Sequence, residues 1–288
     1  MVMSRPSDYS PHEKTLPAAG NDPARPGAEI PAKVIWHDLE CGTYRADLPF
    51  WRKLAERYGA PILDVGAGTG RVALDLARAG HLVTALDLDP DLLGALADRA
   101  GQLPVESVCA DARSFDLDRC DFALCLVPMQ TLQLLGGITE RVEFLRCASA
   151  HLQPGGLLAC AIVTELDQFD TADGSPGPAP ETARAAGDLY VSRATGVRVL
   201  DRQIVIERLR RIIPGGEIPG GESGPGDEHT GDARAVGSTD ERDVIGLARV
   251  STSELEREGL QAGLTPEPAL EISPTDEHVG SAVVMLRA

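Results

Sequence analysis

Lysine is almost missing from this sequence. Only Lys14, Lys33 and Lys53 occur among 288 residues, and the formal net charge is −17. Gripping a phosphate backbone takes a basic surface, so a nucleic-acid partner is excluded and a small-molecule substrate is expected. The six cysteines (Cys41, Cys109, Cys120, Cys125, Cys147 and Cys160) include no C-x-x-C pair. That argues against a zinc site or a disulfide framework, and no metal is expected. Long apolar runs are lacking as well: the longest candidate, Phe122 to Ile138, is interrupted by Pro128, Gln130 and Gln133, so no membrane partner is expected. The opening MVMSRPSDYSPHEK has no apolar targeting segment, and the expected location is cytoplasmic.

What is present is an apolar content of 43%, enough for a sizeable core. Residues 1–32, rich in Pro, Ala, Gly and charge without periodicity, are expected to form a disordered tail. Leu48, Trp51, Leu54, Ala55 and Tyr58 then make a helical stripe closed by Gly59. Strands at Ile62–Val65, HLVTALD, VESVCAD, DFALCLV and LLACAIV alternate with helical segments, one of them opened by Asp89 and Pro90. This alternation predicts a doubly wound, mainly parallel sheet covered on both faces. After Glu165 the strands follow one another without helices, predicting an inserted antiparallel β cap over residues 167–250. Its segment 214–240 is too poor in apolar residues to order itself and is expected to be a disordered loop. The αβ pattern resumes at STSELEREGLQAGL, where Ser251 or Ser253 can cap a helix, and two strands close the chain. The expected main domain is therefore residues 33–166 with 251–288.

The segment PILDVGAGTGR, residues 61–71, is a strand running into a glycine turn and a helix, and Asp87 ends the next strand. In that setting glycines let the backbone approach a nucleotide, and Asp87 can accept hydrogen bonds from ribose hydroxyls. A dinucleotide fingerprint reads G-x-G-x-x-G, whereas here the glycines are Gly66, Gly68 and Gly70. Asp64 would repel a pyrophosphate but would favour a cationic amino-acid moiety. The ligand suggested is S-adenosylmethionine (SAM), which has a ribose and an adenine but carries an ammonium and a sulfonium in place of phosphate.

From about residue 44 to 165 the chain resembles the class I SAM-dependent methyltransferases. LDVGAGTGR is similar to that family's first motif, which implies that Asp64, Gly66, Ala67, Gly68 and Gly70 lie around the methionine portion of the cofactor. ALDLDP resembles its second, with Asp87 on the ribose and Leu88 beside the adenine. CADAR resembles its third, with Asp111 accepting from the adenine amino group and Ala112 offering its amide. LQPGGLL looks like the turn into the fifth strand. The resemblance implies a seven-stranded sheet whose last strand is antiparallel. Where relatives acting on DNA bases or glutamine have an Asn/Asp-Pro-Pro-Tyr type of segment, this chain has Leu126-Val-Pro-Met129.

Open α/β sheets bind at the carboxyl ends of their strands. Val127 is therefore expected against the cofactor, with Met129, Gln130 and Glu165 facing the substrate and Tyr44 in a lid folded over it. Trp36 and His37 are candidates for the same lid, and Arg71 for pairing with an acid in it. An antiparallel last strand would bring His278 to the pocket edge, where an imidazole can act as base. The function expected is methyl transfer to an amine, hydroxyl or carboxyl of a small molecule. An NAD-dependent oxidoreductase and a non-catalytic SAM-binding scaffold are the alternatives.

Overall fold

The computed structural model describes residues 13–17, 30–215, 237–275 and 278–288. A short helix α1 (Ala32–His37) runs into a π-helical turn at Asp38–Gly42, and α2 (Leu48–Tyr58) follows. Five strands and four helices come next: β1 (Ile62–Val65), α3 (Arg71–Arg78), β2 (Val83–Asp87), α4 (Pro90–Ala100), β3 (Val105–Cys109), β4 (Phe122–Val127), α5 (Thr131–Leu134), α6 (Ile138–His151) and β5 (Leu152–Ile162). A run of strands, β6 (Phe169–Asp170), β7 (Glu181–Ala185), β8 (Asp188–Val199), β9 (Gln203–Ile213) and β10 (Thr239–Ala248), precedes α7 (Thr252–Gln261), β11 (Thr265–Ile272) and β12 (Ser281–Arg287).

The main sheet has seven strands in the order β11-β12-β5-β4-β1-β2-β3. Only β12 opposes the common direction, pairing antiparallel with both β5 and β11. Side chains alternate across a strand, so β1 feeds two cores. Ile62 packs with Trp51, Leu76 and Leu96 on the face covered by α2, α3 and α4. Leu63 and Val65 pack with Phe144, Leu145 and Leu255 on the face covered by α6 and α7. The Asp89 carboxylate caps α4 by accepting from the Asp91 and Leu92 amides, and Ser251 opens α7 in a reciprocal capping box with Glu254.

The second sheet, β10-β9-β8-β6 with β7 on β8, is antiparallel throughout and lies between β5 and α7 in the chain. Ile204, Ile206, Val197 and Leu247 on it pack against Val163 and Leu166, just past β5. Residues 216–236, most of the expected loop, lie outside the described residues. The tail expectation is corrected at residues 13–17: Glu13 bridges Thr182, and the Lys14 ammonium reaches Glu181 at 2.6 Å. Glu181 is buried, and a buried carboxylate needs a cation, which the local composition of the tail did not reveal.

One tie between elements far apart in sequence is wholly buried. Arg141 of α6 donates through Nε (2.8 Å) and Nη2 (2.5 Å) to Glu258 of α7. Replacing Arg141 by Met should destabilise the fold by about 3–5 kcal/mol, because Glu258 would keep a buried, uncompensated charge. Denaturant unfolding measures this, and a double variant with Glu258→Leu should recover most of the loss. Equal stability of single and double variants would mean that the pair is solvated.

Candidate functional site

A cavity of about 690 Å³ opens at the carboxyl ends of β1, β2 and β4. Its floor is the first glycine turn and the ends of the following strands: Asp64, Gly66, Ala67, Asp87, Leu88, Asp111 and Ala112 all line it. Met129 and Gln130 line one side, and Trp36, His37 and Glu40 of the N-terminal segment line another. The roof comes from β9 and β10 of the second sheet.

The glycine turn is shaped by three different neighbours. Gly66, Gly68 and Gly70 all have positive φ, a conformation that L side chains rarely adopt. A Cβ would stand 2.3 Å from Thr131 at Gly66, 2.3 Å from the His37 imidazole at Gly68, and 2.8 Å from Leu96 at Gly70. Gly66 therefore lets the β4–α5 connection close in, Gly68 seats His37, and Gly70 seats the α3–α4 packing. Of the three, only Gly66 lines the cavity.

The acids on the floor differ in how free they are. Asp64 is buried, and neither of its oxygens completes a hydrogen bond within the protein. Burial raises its pKa to about 7 against the pull of Arg71 and of the Ala73 amide, whose hydrogen stays short of good geometry. Asp87 is pinned by two backbone donors, Gly68 N–H to Oδ2 at 2.8 Å and Asp89 N–H to Oδ1 at 2.9 Å, leaving a lone pair on each oxygen. Asp111 is the most occupied. Arg113 donates to it from its backbone N–H, Nε and Nη2, and those bonds lower its pKa to about 2. Leu88 and Leu134 stand largely exposed on the cavity wall, apolar surface that a flat ring would cover.

The N-terminal segment is fastened over this floor by buried ion pairs. Asp38 takes the Arg99 guanidinium of α4 (2.5 and 3.0 Å) and the Thr69 hydroxyl (2.7 Å). Asp47 takes Arg71 of α3 and the Trp51 indole N–H. Glu40 takes Nε and Nη2 of Arg210 on β9, at 2.9 and 2.7 Å, with Ser192 Oγ at 2.7 Å. Burial alone would raise the Glu40 pKa, but Arg210, Arg208 and Ser192 together hold it below the ordinary value.

His37 follows from this wiring. The Thr69 hydroxyl spends its one proton on Asp38, so at 3.2 Å from His37 Nδ1 its oxygen accepts. Burial lowers the His37 pKa, so the ring is neutral, protonated at Nδ1, with a bare Nε2 lone pair beside Gly68. No single local feature of the sequence marked this residue as a cavity acceptor.

Four expectations are corrected here. Val127 is wholly buried inside the sheet, because β4 is central and both its faces are covered. Glu165 is exposed and outside the cavity, since the chain past β5 turns into the cap core at Val163 and Leu166. Tyr44 does not line the cavity; its ring stacks on His278 with centroids 4.2 Å apart. His278 does reach the expected edge, where it shares a small void with Tyr44, Met129 and Gln130. It is buried there, and burial, helped by Lys14 and Arg71, pushes its pKa down to about 3. A ring at that pKa is a weak proton acceptor near neutral pH. Met129, which borders both spaces, has φ +55, a conformation uncommon outside glycine that often accompanies a site.

Two imidazoles can therefore be checked by nitrogen NMR of the folded protein. His278 should stay neutral down to about pH 4, and His37 should show the Nδ1–H tautomer near neutrality. A His278 midpoint close to the free value of about 6.5 would mean that the ring is open to solvent.

Residues 62–156 match the methyltransferase domain family. The cypemycin N-terminal methyltransferase of a Streptomyces species is 33% identical over 118 residues, which is 40% of this chain and 46% of that protein. The ubiquinone biosynthesis O-methyltransferase of Xanthomonas axonopodis pv. citri is 30% identical over 113 residues, 36% of this chain and 43% of the relative. The chain thus spans under half the length of the curated relatives it matches. Among solved structures, the sugar N-methyltransferase of a Streptoalloteichus species superposes with TM-score 0.61 at 18% identity, covering 98% of this chain and 99% of the other. The SAM-bound amino pentose methyltransferase of Micromonospora echinaspora gives TM-score 0.60 at 20% identity, covering 88% and 97%. Residues 62–156 thus match the methyltransferase domain family, and the fold of the chain is similar to that of these two solved structures.

Proposed function

We propose that this chain is a SAM-dependent methyltransferase acting on an amine, hydroxyl or carboxyl of a small molecule in the cytoplasm. The observation that carries the reading is Asp64: a buried carboxylate with two unpartnered oxygens, on the floor of a cavity also lined by Asp87. An orphaned buried acid calls for a cationic partner, and the ammonium of an amino-acid moiety supplies one. A pyrophosphate there would add repulsion, which disfavours the dinucleotide alternative.

When bound, SAM supplies an already activated sulfonium methyl. The remaining work falls to the chain: alignment, exclusion of water and, for a protonated nucleophile, removal of a proton. On this reading Asp64 holds the ammonium end, the spare lone pairs of Asp87 accept from the ribose hydroxyls, and Leu88 and Leu134 cover the adenine. Ala112 offers its amide to the same ring. Asp111 has the least capacity left to accept, because Arg113 already occupies both its oxygens. The acidic surface, with formal net charge −17, supports a small acceptor over a nucleic acid.

Incubation with labelled SAM and a panel of small amines, phenols and carboxylic acids tests the reaction itself; label left wholly on SAM across the panel would count against it. Calorimetry tests the site. Asp87→Ala should weaken SAM binding by about 1–3 kcal/mol, the cost of losing hydrogen bonds to a charged acceptor, and an unchanged dissociation constant in a folded variant would remove Asp87 from the ribose.

Asp64 gives the binding a pH dependence of definite sign. Its pKa in the folded protein is raised to about 7, so below that pH the carboxyl carries a proton that a cationic partner must expel. SAM affinity should therefore rise as pH goes from 5.5 to 7, with net proton release that disappears in Asp64→Asn. Affinity that is flat over this range in the wild type would show that no ammonium sits on Asp64.

A further inference from the structure

The inner face of the cavity roof is divided along its length. In the β9–β10 register Ile206 lies opposite Ile245, while two residues further along β9 Arg208 lies opposite Asp243. Ile206, Ile245 and Leu247 thus give the cavity an apolar stretch, and Arg208, Arg210 and Glu241 give it a charged one.

The two arginines are not equivalent. Arg210 is fully engaged, with Nε and Nη2 on Glu40 and Nη1 on Asp243 at 3.1 Å. Arg208 uses Nη1 alone, donating to Glu181 at 3.1 Å and to Ser192 at 3.2 Å. Among the described residues nothing accepts from its Nε or Nη2, although its side chain is only 4% exposed. Charge does not explain the open fork. Lys14, Arg208 and Arg210 balance Glu40, Glu181 and Asp243 within one network. Asp243 Oδ2, on the residue opposite Arg208, is itself buried without a partner, yet it does not meet the Nε/Nη2 edge, and that edge of a guanidinium fits the two oxygens of one carboxylate or phosphate.

We infer that the methyl acceptor is an amphipathic anion, with an apolar body on Ile206, Ile245 and Leu247 and a carboxylate or phosphate on the free edge of Arg208. The inference rests on the methyltransferase reading of the cavity. It also narrows that reading: an anion bound to a guanidinium is a poor nucleophile, so the methyl goes to a second group on the same molecule, an amine or a hydroxyl. The carbon–sulfur bond of the sulfonium breaks as the new bond to nitrogen or oxygen forms, the thioether leaves neutral, and the acceptor's proton passes to solvent.

Three matched probes test this on the full chain saturated with S-adenosylhomocysteine: phenylpropionate, benzyl phosphate and phenylpropylamine, followed by ligand-observed NMR titration. At least one anion should bind and the amine should not; preference between the anions tells carboxylate from phosphate. Arg208→Gln should weaken anion binding by at least roughly 10-fold, and Arg208→Lys, which keeps the charge and loses the planar fork, by less. The amine binding as well as the anions, neither anion binding, or anion binding untouched by Arg208→Gln would each overturn the inference. Should Arg208→Gln fail to fold, the wild-type comparison and Arg208→Lys decide. Failure of S-adenosylhomocysteine to bind is a separate result: it counts against the methyltransferase reading, and the same titrations without it still judge Arg208.

Discussion

Three buried carboxylates within ten residues organise this molecule. Asp38, Glu40 and Asp47 are each nearly inaccessible, and each is fastened to an arginine on a different element: Arg99 on α4, Arg210 on β9 and Arg71 on α3. Pairs of this kind add little net stability, since desolvation consumes most of the attraction, but breaking one strands a charge at several kcal/mol. Their effect here is therefore geometric. They fix where the N-terminal segment crosses the cavity, to which it contributes Trp36, His37 and Glu40.

The same pairs couple the two sheets. Strands β8, β9 and β10 form an antiparallel layer with its own apolar seam to Val163 and Leu166, just past β5 of the main sheet. The second attachment is polar and runs through Glu40, with Trp36 and Leu39 packed against Tyr190 and Ala183 of the cap beside it. Floor and roof of the cavity are thus held in register by a segment that belongs to neither sheet. Gln133 adds a third link, donating to the carbonyls of Val163 and Ala248 while accepting from the Val163 amide.

How much of this the sequence disclosed follows from range. The glycine turn, the acid ending β2, the Asp89 and Ser251 caps and the strand–helix alternation depend on neighbours a few positions apart, and all are found where the local pattern puts them. Which glycine faces the cavity was not legible, because Thr131, His37 and Leu96 approach from elsewhere in the chain. Glu40 and Arg210 are separated by 170 residues, and no periodicity ties them. His278 is instructive in another way. Topology predicts it at the pocket edge, yet the burial that lowers its basicity, with Tyr44 stacked on the ring and Lys14 nearby, involves residues from the opposite end of the sequence.

With His278 deprived of basicity, the histidine left on the cavity lining among the described residues is His37, and it too is a ring whose pKa burial has lowered. Such a ring stays uncharged at neutral pH but holds an abstracted proton poorly. It is suited to accepting a hydrogen bond and orienting its donor. An activated sulfonium methyl asks little more, because the in-line approach of a lone pair is the main requirement and positioning alone can supply a large part of the barrier reduction. The wiring that fixes His37 (Thr69 committed to Asp38, Asp38 committed to Arg99) serves orientation and would be wasteful for proton transfer. On the proposed reading, then, the site works by holding two partners in line, and the buried ion pairs that fasten its lid are the means by which it does so.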